Sequence, residues 1–314
     1  ARSAVVVGTG VGGLTTLEEQ IGIYITRGAA RVSPFLVPMM MTNASAALVA
    51  LQLGWTGPNF CITTACAAGA HAIGEGARLI REGSADVVLA GGSESSITPT
   101  AISAFARMGA LSHRNHEPEL ASRPFDAGRD GFVMGEGAGF VVLERWDRAV
   151  ARGARIHGEV LGYGRNCDAF HITAPSPGGS GAVACMHLAL DDAGLDAASI
   201  GHINAHGTST PLNDAAEADA IMKVFDGAPP PVTSTKGVTG HLIGAAGAVE
   251  AIATMLAIRH QQVPPTANFE APDPEIAIDV VHGGPRPLPA APALSSSFGF
   301  GGHNAVLVLA GPPT

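Results

Sequence analysis

The stretch TTACAAGAHAIGEGARLI, residues 63–80, contains a cysteine, then small residues and a pattern typical of a helix. Cys66 therefore lies where the predicted helix begins. A free cysteine in such a place can pack as a small buried hydrophobe. It can also serve chemistry, because the positive end of a helix dipole favours a thiolate over a thiol. The stretch alone leaves both interpretations open.

Strands and helices alternate on both sides of this stretch. Continuous apolar runs predict strands buried on both faces, as in a parallel sheet. Such runs are AVVV (4–7), ADVVLAGG (85–92), FVVLE (140–144), HINAHG (202–207) and NAVLVLA (304–310). Helical patterns separate them, so the sequence predicts an α/β protein with a mostly parallel sheet and helices on its faces.

The two halves of the chain repeat this order of strands, glycine-rich turns and helices. A change in composition at residues 150–156 marks the boundary. We therefore expect one domain at 1–152, which carries the cysteine, and a second at 153–314. Their sequence identity is too low to establish a repeat by itself.

Composition excludes several classes of protein. The 314 residues are 46% hydrophobic and 14% charged, as in a globular chain. The net charge is -9 and lysine and arginine form no cluster, which argues against a nucleic-acid surface. No apolar run is long enough to span a membrane. The four cysteines lack framework spacing, which indicates free thiols and a cytoplasmic location.

The glycine motif GTGVGG, residues 8–13, follows a predicted strand and precedes a predicted helix. It matches the spacing of a dinucleotide-binding turn. The acidic residue expected some twenty positions further on is missing, because that region reads RGAARVSPF. Close packing of strand and helix is the better interpretation.

Three further motifs carry residues suited to catalysis. In NAHGTST (204–210), His206 ends an apolar strand and precedes three hydroxyl residues, although a lone histidine there can also be structural. In TSTKGVTGHLIGAAGAVE (233–250), Lys236 and His241 lie in a turn, and Glu250 lies in an apolar helix. Buried lysine and glutamate are costly unless paired, which favours a functional role over an exposed lysine. The glycine-rich SSSFGFGGHN (295–304) is a weaker signal.

The twelve histidines show no metal-binding pattern. No histidine has ligand spacing with a cysteine pair. We therefore expect no metal. We also expect no organic cofactor, because acid–base and covalent chemistry accounts for the residues present.

Four of these motifs and their order closely resemble the β-ketoacyl-acyl-carrier-protein synthases. The motifs are TTACAAG, NAHGTST, KGVTGHLIGAAG and FGFGGHN, and the stretch SRPFDAGRDGFVMGEGAG (122–139) also resembles that family. The elongating type II enzymes are the most similar. The resemblance covers residues 4–309. It implies a thiolase-like fold of five layers, αβαβα, with two similar halves, and a homodimer.

The resemblance also implies roles for individual residues. Cys66 would be the nucleophile, His206 and His241 the paired histidines, and Lys236 their charged partner. The remaining assignments are supporting acids at Asp214, Glu217 and Glu250, a gate and oxyanion donor at Phe300, and substrate-binding residues at Thr173, Thr208, Thr210, Val11, Phe105 and Phe298.

The chain differs from the family in one respect. Family members carry a segment before the strand that matches AVVV, and this sequence begins at Ala1 just before that strand. We therefore expect the first half to be incomplete at its N-terminus. The expected consequence is an exposed apolar surface and a bare sheet edge.

The activity implied is an acyltransferase reaction. An acyl group on Cys66 would condense with malonyl-acyl-carrier protein, with loss of CO₂, to give a β-ketoacyl-acyl-carrier protein in fatty acid elongation. A ketosynthase of a polyketide pathway remains an alternative. A non-catalytic chain-length partner subunit is disfavoured because such subunits usually lack the nucleophile. A degradative thiolase would need a second cysteine where FGFGGHN has His303 and Asn304.

Overall fold

Two β-sheets, one from each half of the chain, organise the computed structural model, which describes residues 2–313. The strands are β1 (Ser3–Gly8), β2 (Asn59–Ile62), β3 (Val87–Glu94), β4 (Gly137–Glu144), β5 (Glu159–Cys167), β6 (His202–Asn204), β7 (Val232–Thr233), β8 (Gln262–Val263), β9 (Arg286–Pro287), β10 (Ala293–Gly299) and β11 (His303–Ala310). The helices are α1 (Leu14–Arg27), α2 (Leu36–Met40), α3 (Ala44–Leu53), α4 (Ala68–Arg81), α5 (Pro99–Arg107), α6 (Trp146–Ala151), α7 (Ser180–Ala193), α8 (Pro211–Val224), α9 (Lys236–Thr239) and α10 (Ala246–His260).

The sheets share a strand order, and each adds antiparallel strands to the parallel pairing that the sequence predicted. The first has the order β2-β1-β3-β4 and the second β7-β6-β10-β11, with β5 paired to the far side of β11. The last pairs, β3 with β4 and β10 with β11, are antiparallel. The antiparallel pairing of β10 with β11 has a local reason. Only the short turn at 300–302 joins these strands, and so tight a connection requires antiparallel neighbours.

The layers follow from the burial pattern of the strands. Along β1, Val5 and Val7 pack against α3, whereas Val6 faces the opposite way, towards α4. Alternate side chains of a strand point to opposite faces, so this strand is covered on both sides. Helices α4 and α10 contact each other between the two sheets, and α7 and α8 cover the second sheet from outside. The predicted αβαβα arrangement is confirmed.

The glycine motif at 8–13 serves packing, as predicted. A Cβ atom on Gly8 would lie 2.3 Å from the carbonyl carbon of Ala68, at the start of α4. Only glycine allows this approach of strand and helix backbone. The contact places the end of β1 beside the turn that carries Cys66.

The expected boundary between the halves falls in a segment without regular structure, between Ala151 and Glu159. The domain limits at 152 and 153 stay a prediction. No helix among residues 2–313 is long and apolar enough to cross a membrane.

Candidate active site

Cys66 lies in a tight turn between a strand and a helix. Strand β2 leads into the 3₁₀ turn Ala65–Ala67, and α4 follows directly. Ala65 has a φ of 49°, a left-handed conformation that is uncommon outside glycine and often found at functional sites. The thiol is buried, and the nearby backbone N–H groups of Cys66 itself and of Phe300 act to lower its pKa. The cysteine therefore begins a helix, as the sequence predicted.

Two histidines face this thiol. The sulfur of Cys66 and one ring nitrogen each of His206 and His241 all lie within 4.8 Å of one another. The two imidazoles meet edge to face, with centroids 5.3 Å apart. His206 follows β6, and His241 precedes the turn that opens α10, so the fold brings residues from both halves to one point.

A buried lysine fixes the orientation of His206. The Lys236 ammonium donates to the His206 carbonyl oxygen at 2.6 Å, lies 3.3 Å from His206 Nδ1, and forms an ion pair with Glu250. An ammonium group can only donate, so Nδ1 of His206 accepts. The proton of the neutral ring is therefore on Nε2.

Two further acids hold backbone segments beside the site. Glu217 accepts hydrogen bonds from the backbone N–H groups of His206 and Gly207, each at 2.7 Å. Asp214 accepts from the N–H of Phe125 at 2.8 Å. Burial raises the pKa of Glu217 to about 7 and also raises the pKa of Asp214.

The protonation states favour a neutral site. Burial lowers the pKa of His206 and of His241 well below the usual histidine value, and the charge of Lys236 lowers both further. Burial also raises the pKa of the Cys66 thiol to about 11, although Lys236 and the two backbone N–H groups act in the opposite direction. Desolvation therefore opposes the thiolate that the start of a helix would favour.

The thiol opens into a cavity of about 500 Å³. The predicted site residues that line it are Val11, Cys66, Phe105, Thr173, His206, Thr208, Thr210, Glu217, His241, Phe298 and Phe300. Lys236, Asp214 and Glu250 lie behind this lining and act through the residues they hold. The structure thus brings every predicted residue into the cavity wall or directly behind it.

Two residues that shape the wall of the cavity were not predicted from the sequence. Phe132 packs edge-on against both Phe105 and His241, with ring centroids 5.3 Å apart in each case. Ile243 lines the cavity from the turn that opens α10. Both residues lie inside motifs that the sequence analysis quoted, but their orientation depends on tertiary packing.

Cys66, His206 and His241 also have the spacing of a metal-binding trio. Two features oppose a cation there. Burial raises the pKa of the thiol and so opposes the thiolate that a metal ion would bind, and the Lys236 ammonium already lies beside one of the rings. The expectation of no metal stays a prediction.

Comparison with known proteins agrees with this geometry. Residues 1–149 match the model of the β-ketoacyl synthase N-terminal domain, and residues 157–270 match that of the C-terminal domain. The chain belongs to the β-ketoacyl synthase family. It is a condensing enzyme of the acyltransferase class, as the order of its motifs predicted.

Relatives within the β-ketoacyl synthase family are similar over almost the whole chain. A 3-oxoacyl-acyl-carrier-protein synthase 2 of Synechocystis is 52% identical over 305 residues, which are 96% of this chain and 73% of the relative. The enzyme of the same name from Staphylococcus aureus is 47% identical over 309 residues, 98% of this chain and 74% of its own.

Solved structures of β-ketoacyl synthases share the fold. A β-ketoacyl synthase from Burkholderia phymatum superposes with a TM-score of 0.93 at 37% identity, covering 100% of this chain and 76% of its own. The ishigamide ketosynthase/chain length factor gives 0.93 at 38% identity, with 99% and 76% covered.

Proposed function

We propose that this β-ketoacyl synthase condenses an acyl group held on Cys66 with a malonyl group presented by acyl-carrier protein. The product is a β-ketoacyl-acyl-carrier protein, and the reaction lengthens fatty acid chains. One observation carries the proposal, namely a buried thiol and two neutral imidazoles within 4.8 Å of one another at the wall of an apolar cavity.

The first step transfers the acyl group to the cysteine. The Cys66 sulfur attacks the thioester carbonyl of the acyl carrier, and its proton passes to a neutral imidazole of the facing pair. The bond to the carrier sulfur breaks, and the carrier thiol leaves with that proton. Negative charge on the carbonyl oxygen is stabilised by the backbone N–H groups of Cys66 and Phe300, both of which act on the sulfur in the resting protein.

The second step removes CO₂ from the malonyl thioester. Breaking the carbon–carboxylate bond leaves an electron pair that is delocalised onto the thioester oxygen as an enolate. His206 donates its Nε2–H to this oxygen, and His241 faces the same position. Loss of one such donor costs about 2.7–4 kcal/mol of transition-state stabilisation, so the pair supplies much of the acceleration.

The third step forms the new carbon–carbon bond. The enolate carbon attacks the acyl carbon on Cys66, and the carbon–sulfur bond breaks. The thiolate that leaves takes up a proton and returns to the neutral resting thiol. Lys236 and Glu250 keep His206 oriented throughout, because their buried ion pair lies against this ring and outside the cavity lining.

The pantetheine arm of the carrier protein enters the cavity beside three threonines. Thr208 and Thr210 are hydrogen-bonded to each other at 2.9 Å and line the cavity with Thr173. Their hydroxyls can bind the amide groups of an extended arm. The names of the relatives support acyl-carrier protein as the partner.

We also propose a cytoplasmic homodimer. Strand β2 forms one edge of the first sheet, and an edge strand presents unpaired backbone groups to another chain. Apolar side chains lie exposed nearby in sequence, on α1, α3 and β2. They include Tyr24, Ile25, Leu48, Leu51 and Phe60. A second copy of the same chain would cover this surface.

A polyketide ketosynthase is the second candidate. One structure similar to this chain, with a TM-score of 0.94 and 34% identity, is a type II polyketide acyl-carrier protein in complex with its ketosynthase bound to a hexaketide. The cavity of about 500 Å³ has room for more than a short chain. Repeated condensation without reduction would distinguish this candidate from fatty acid elongation.

Mass spectrometry of the products tests the proposal. The protein, an acyl-carrier protein loaded with a saturated acyl group and malonyl-acyl-carrier protein should give a β-ketoacyl product two carbons longer. Cys66→Ala should abolish it, whereas Cys185→Ser, at a buried thiol outside the cavity, should not. Undiminished product from Cys66→Ala would overturn the proposal.

A further inference from the structure

The reaction leaves one buried acid beside the cavity without a role. Glu94 ends β3 and is 4% exposed. Its carboxylate accepts three hydrogen bonds, from the hydroxyl of Thr9 at 3.1 Å and from the backbone N–H groups of Gly10 at 2.6 Å and Gly244 at 3.0 Å. Both backbone bonds end on the same oxygen, Oε2. A buried carboxylate is costly, so a specific bridge of this kind indicates a function.

The bridge joins two segments that lie far apart in sequence. Gly10 belongs to the loop after β1, and Gly244 belongs to the 3₁₀ turn Ile243–Ala245 that opens α10. The segments touch, because a Cβ atom on Gly10 would lie 2.7 Å from Ile243 Cγ2. One carboxylate from the first half therefore holds a loop of that half against a helix start of the other.

Each bridged glycine is followed or preceded by an apolar residue of the cavity wall. Val11 follows Gly10, Ile243 precedes Gly244, and both line the cavity together with Cys66. The loop that carries Val11 is rich in glycine, and Gly12 has a φ of 79°, so its sequence alone does not fix its position. Its hydrogen bonds to Glu94 hold Thr9 and Gly10, the two residues before Val11.

We propose that Glu94 is a positioning residue for the acyl chain, which holds Val11 and Ile243 together and thereby sets how long a chain the cavity accepts. This inference rests on the proposed condensing function. Without the carboxylate, two buried N–H groups lose their acceptor and the loop can move away from Ile243. Chains too long for the wild-type cavity then enter, because the wall that excludes them is no longer fixed.

The test is the rate of Cys66 acylation across a series of saturated acyl-carrier proteins from butyryl to hexadecanoyl, followed by mass spectrometry of the intact protein. Glu94→Ala should raise kcat/KM by about tenfold for the first chain length that the wild type rejects, since a single methylene is worth that much in an apolar pocket. The rate with butyryl carrier should stay close to that of the wild type. Glu94→Gln should keep the wild-type profile, because its amide oxygen can still accept both backbone N–H bonds.

Glu94→Asp gives a second test if the alanine variant does not fold. It keeps the charge but withdraws the oxygens by one methylene, so its profile should also extend to longer chains. An unchanged profile in a folded Glu94→Ala or Glu94→Asp protein would overturn the proposal, as would a glutamine variant that accepts longer chains. No adduct on Cys66 with any chain length in the wild type would instead overturn the proposed function, and this inference with it.

Discussion

The chemistry of the site depends on a few buried groups whose charges are set by burial. The thiol of Cys66 keeps its proton, both histidines stay neutral, and the charged groups Lys236 and Glu250 neutralise each other behind them. A neutral site suits a substrate that becomes negatively charged during the reaction. The imidazole N–H groups then gain strength as the enolate forms, which is where catalysis needs them.

Removing one imidazole should separate the two half-reactions. His241→Ala is expected to slow the release of labelled CO₂ from malonyl-acyl-carrier protein by about 10²–10³-fold, the usual effect of losing one oxyanion donor. Acylation of Cys66 should fall less, because His206 remains to accept the thiol proton. Unchanged CO₂ release from the variant would rule out His241 as an enolate donor.

The resting state of Cys66 can be observed directly. Because burial raises the pKa of its thiol to about 11, the ultraviolet absorbance of a thiolate should appear only when the pH approaches that value. The spectrum of the Cys66→Ala protein, subtracted at each pH, removes the contribution of the other three thiols. A thiolate signal already complete near neutral pH would show that the end of the helix, not burial, sets the pKa of the Cys66 thiol.

The Lys236–Glu250 pair should matter strongly for stability. Lys236→Met leaves a buried glutamate without its partner, and breaking such a pair costs about 3–5 kcal/mol of unfolding free energy. Lys223→Met is the matched control, since Lys223 is exposed and surface changes cost about 0.5 kcal/mol or less. Urea unfolding of both variants gives the two values. Equal stability of the two would mean that the buried pair contributes nothing.

At the scale of elements, the site is assembled by two helices that begin at the same place. Helix α4 starts beside Cys66 and α10 starts just after His241, and the two helices contact each other between the sheets. Glycine makes this arrangement possible where backbones approach closely. A Cβ atom added to Gly299, for example, would lie only 3.1 Å from the Cys66 nitrogen. Glycine at this position therefore lets the end of β10 bring Phe300 close to Cys66.

Two glycine variants test the role of close packing. Gly8→Ala places its methyl group 2.3 Å from backbone atoms of Ala68 and should destabilise the protein by about 3 kcal/mol or more. Gly22→Ala lies in α1 with nothing within 4 Å of the added carbon and should stabilise it by about 0.5–1 kcal/mol. Thermal unfolding of the two proteins should therefore shift in opposite directions. A shift in the same direction would contradict the packing argument.

Motifs predicted the site better than patterns predicted the sheets. Cys66, His206, Lys236 and His241 were found because each lies in a local sequence that ends a strand or begins a helix. The mixed character of the sheets was missed, since strand direction depends on which strands become neighbours. The sequence does not reveal the burial that raises the pKa of the Cys66 thiol either, because that burial comes from segments distant in sequence.

The whole molecule places its chemistry where its two halves meet. The nucleophile comes from the first half and the histidines from the second, so neither half alone contains the site. The central core also mixes both halves, with Val6 and Ile73 of the first packed in one cluster with Leu307 of the second. We therefore expect the halves to unfold together.

The proposed homodimer makes a prediction at this scale. Phe60→Asp puts a charge on the edge strand β2 and should shift the protein towards monomer in sedimentation velocity. Leu188→Asp, on the outer helix α7 of the second sheet, should leave the association state unchanged. A Phe60→Asp protein that sediments as the wild type does would remove β2 from the interface.

The central claim is that two uncharged imidazoles face a protonated thiol in the resting enzyme. Nitrogen-15 NMR of histidine-labelled protein measures this directly, with His206→Asn and His241→Asn used to assign the signals. The account predicts that both rings stay neutral from about pH 8 down to about pH 6. An ordinary histidine, with a pKa near 6.5, would become mostly charged over the same range. The account also predicts that His206 carries its proton on Nε2. An imidazolium signal from either ring at pH 7 would contradict it.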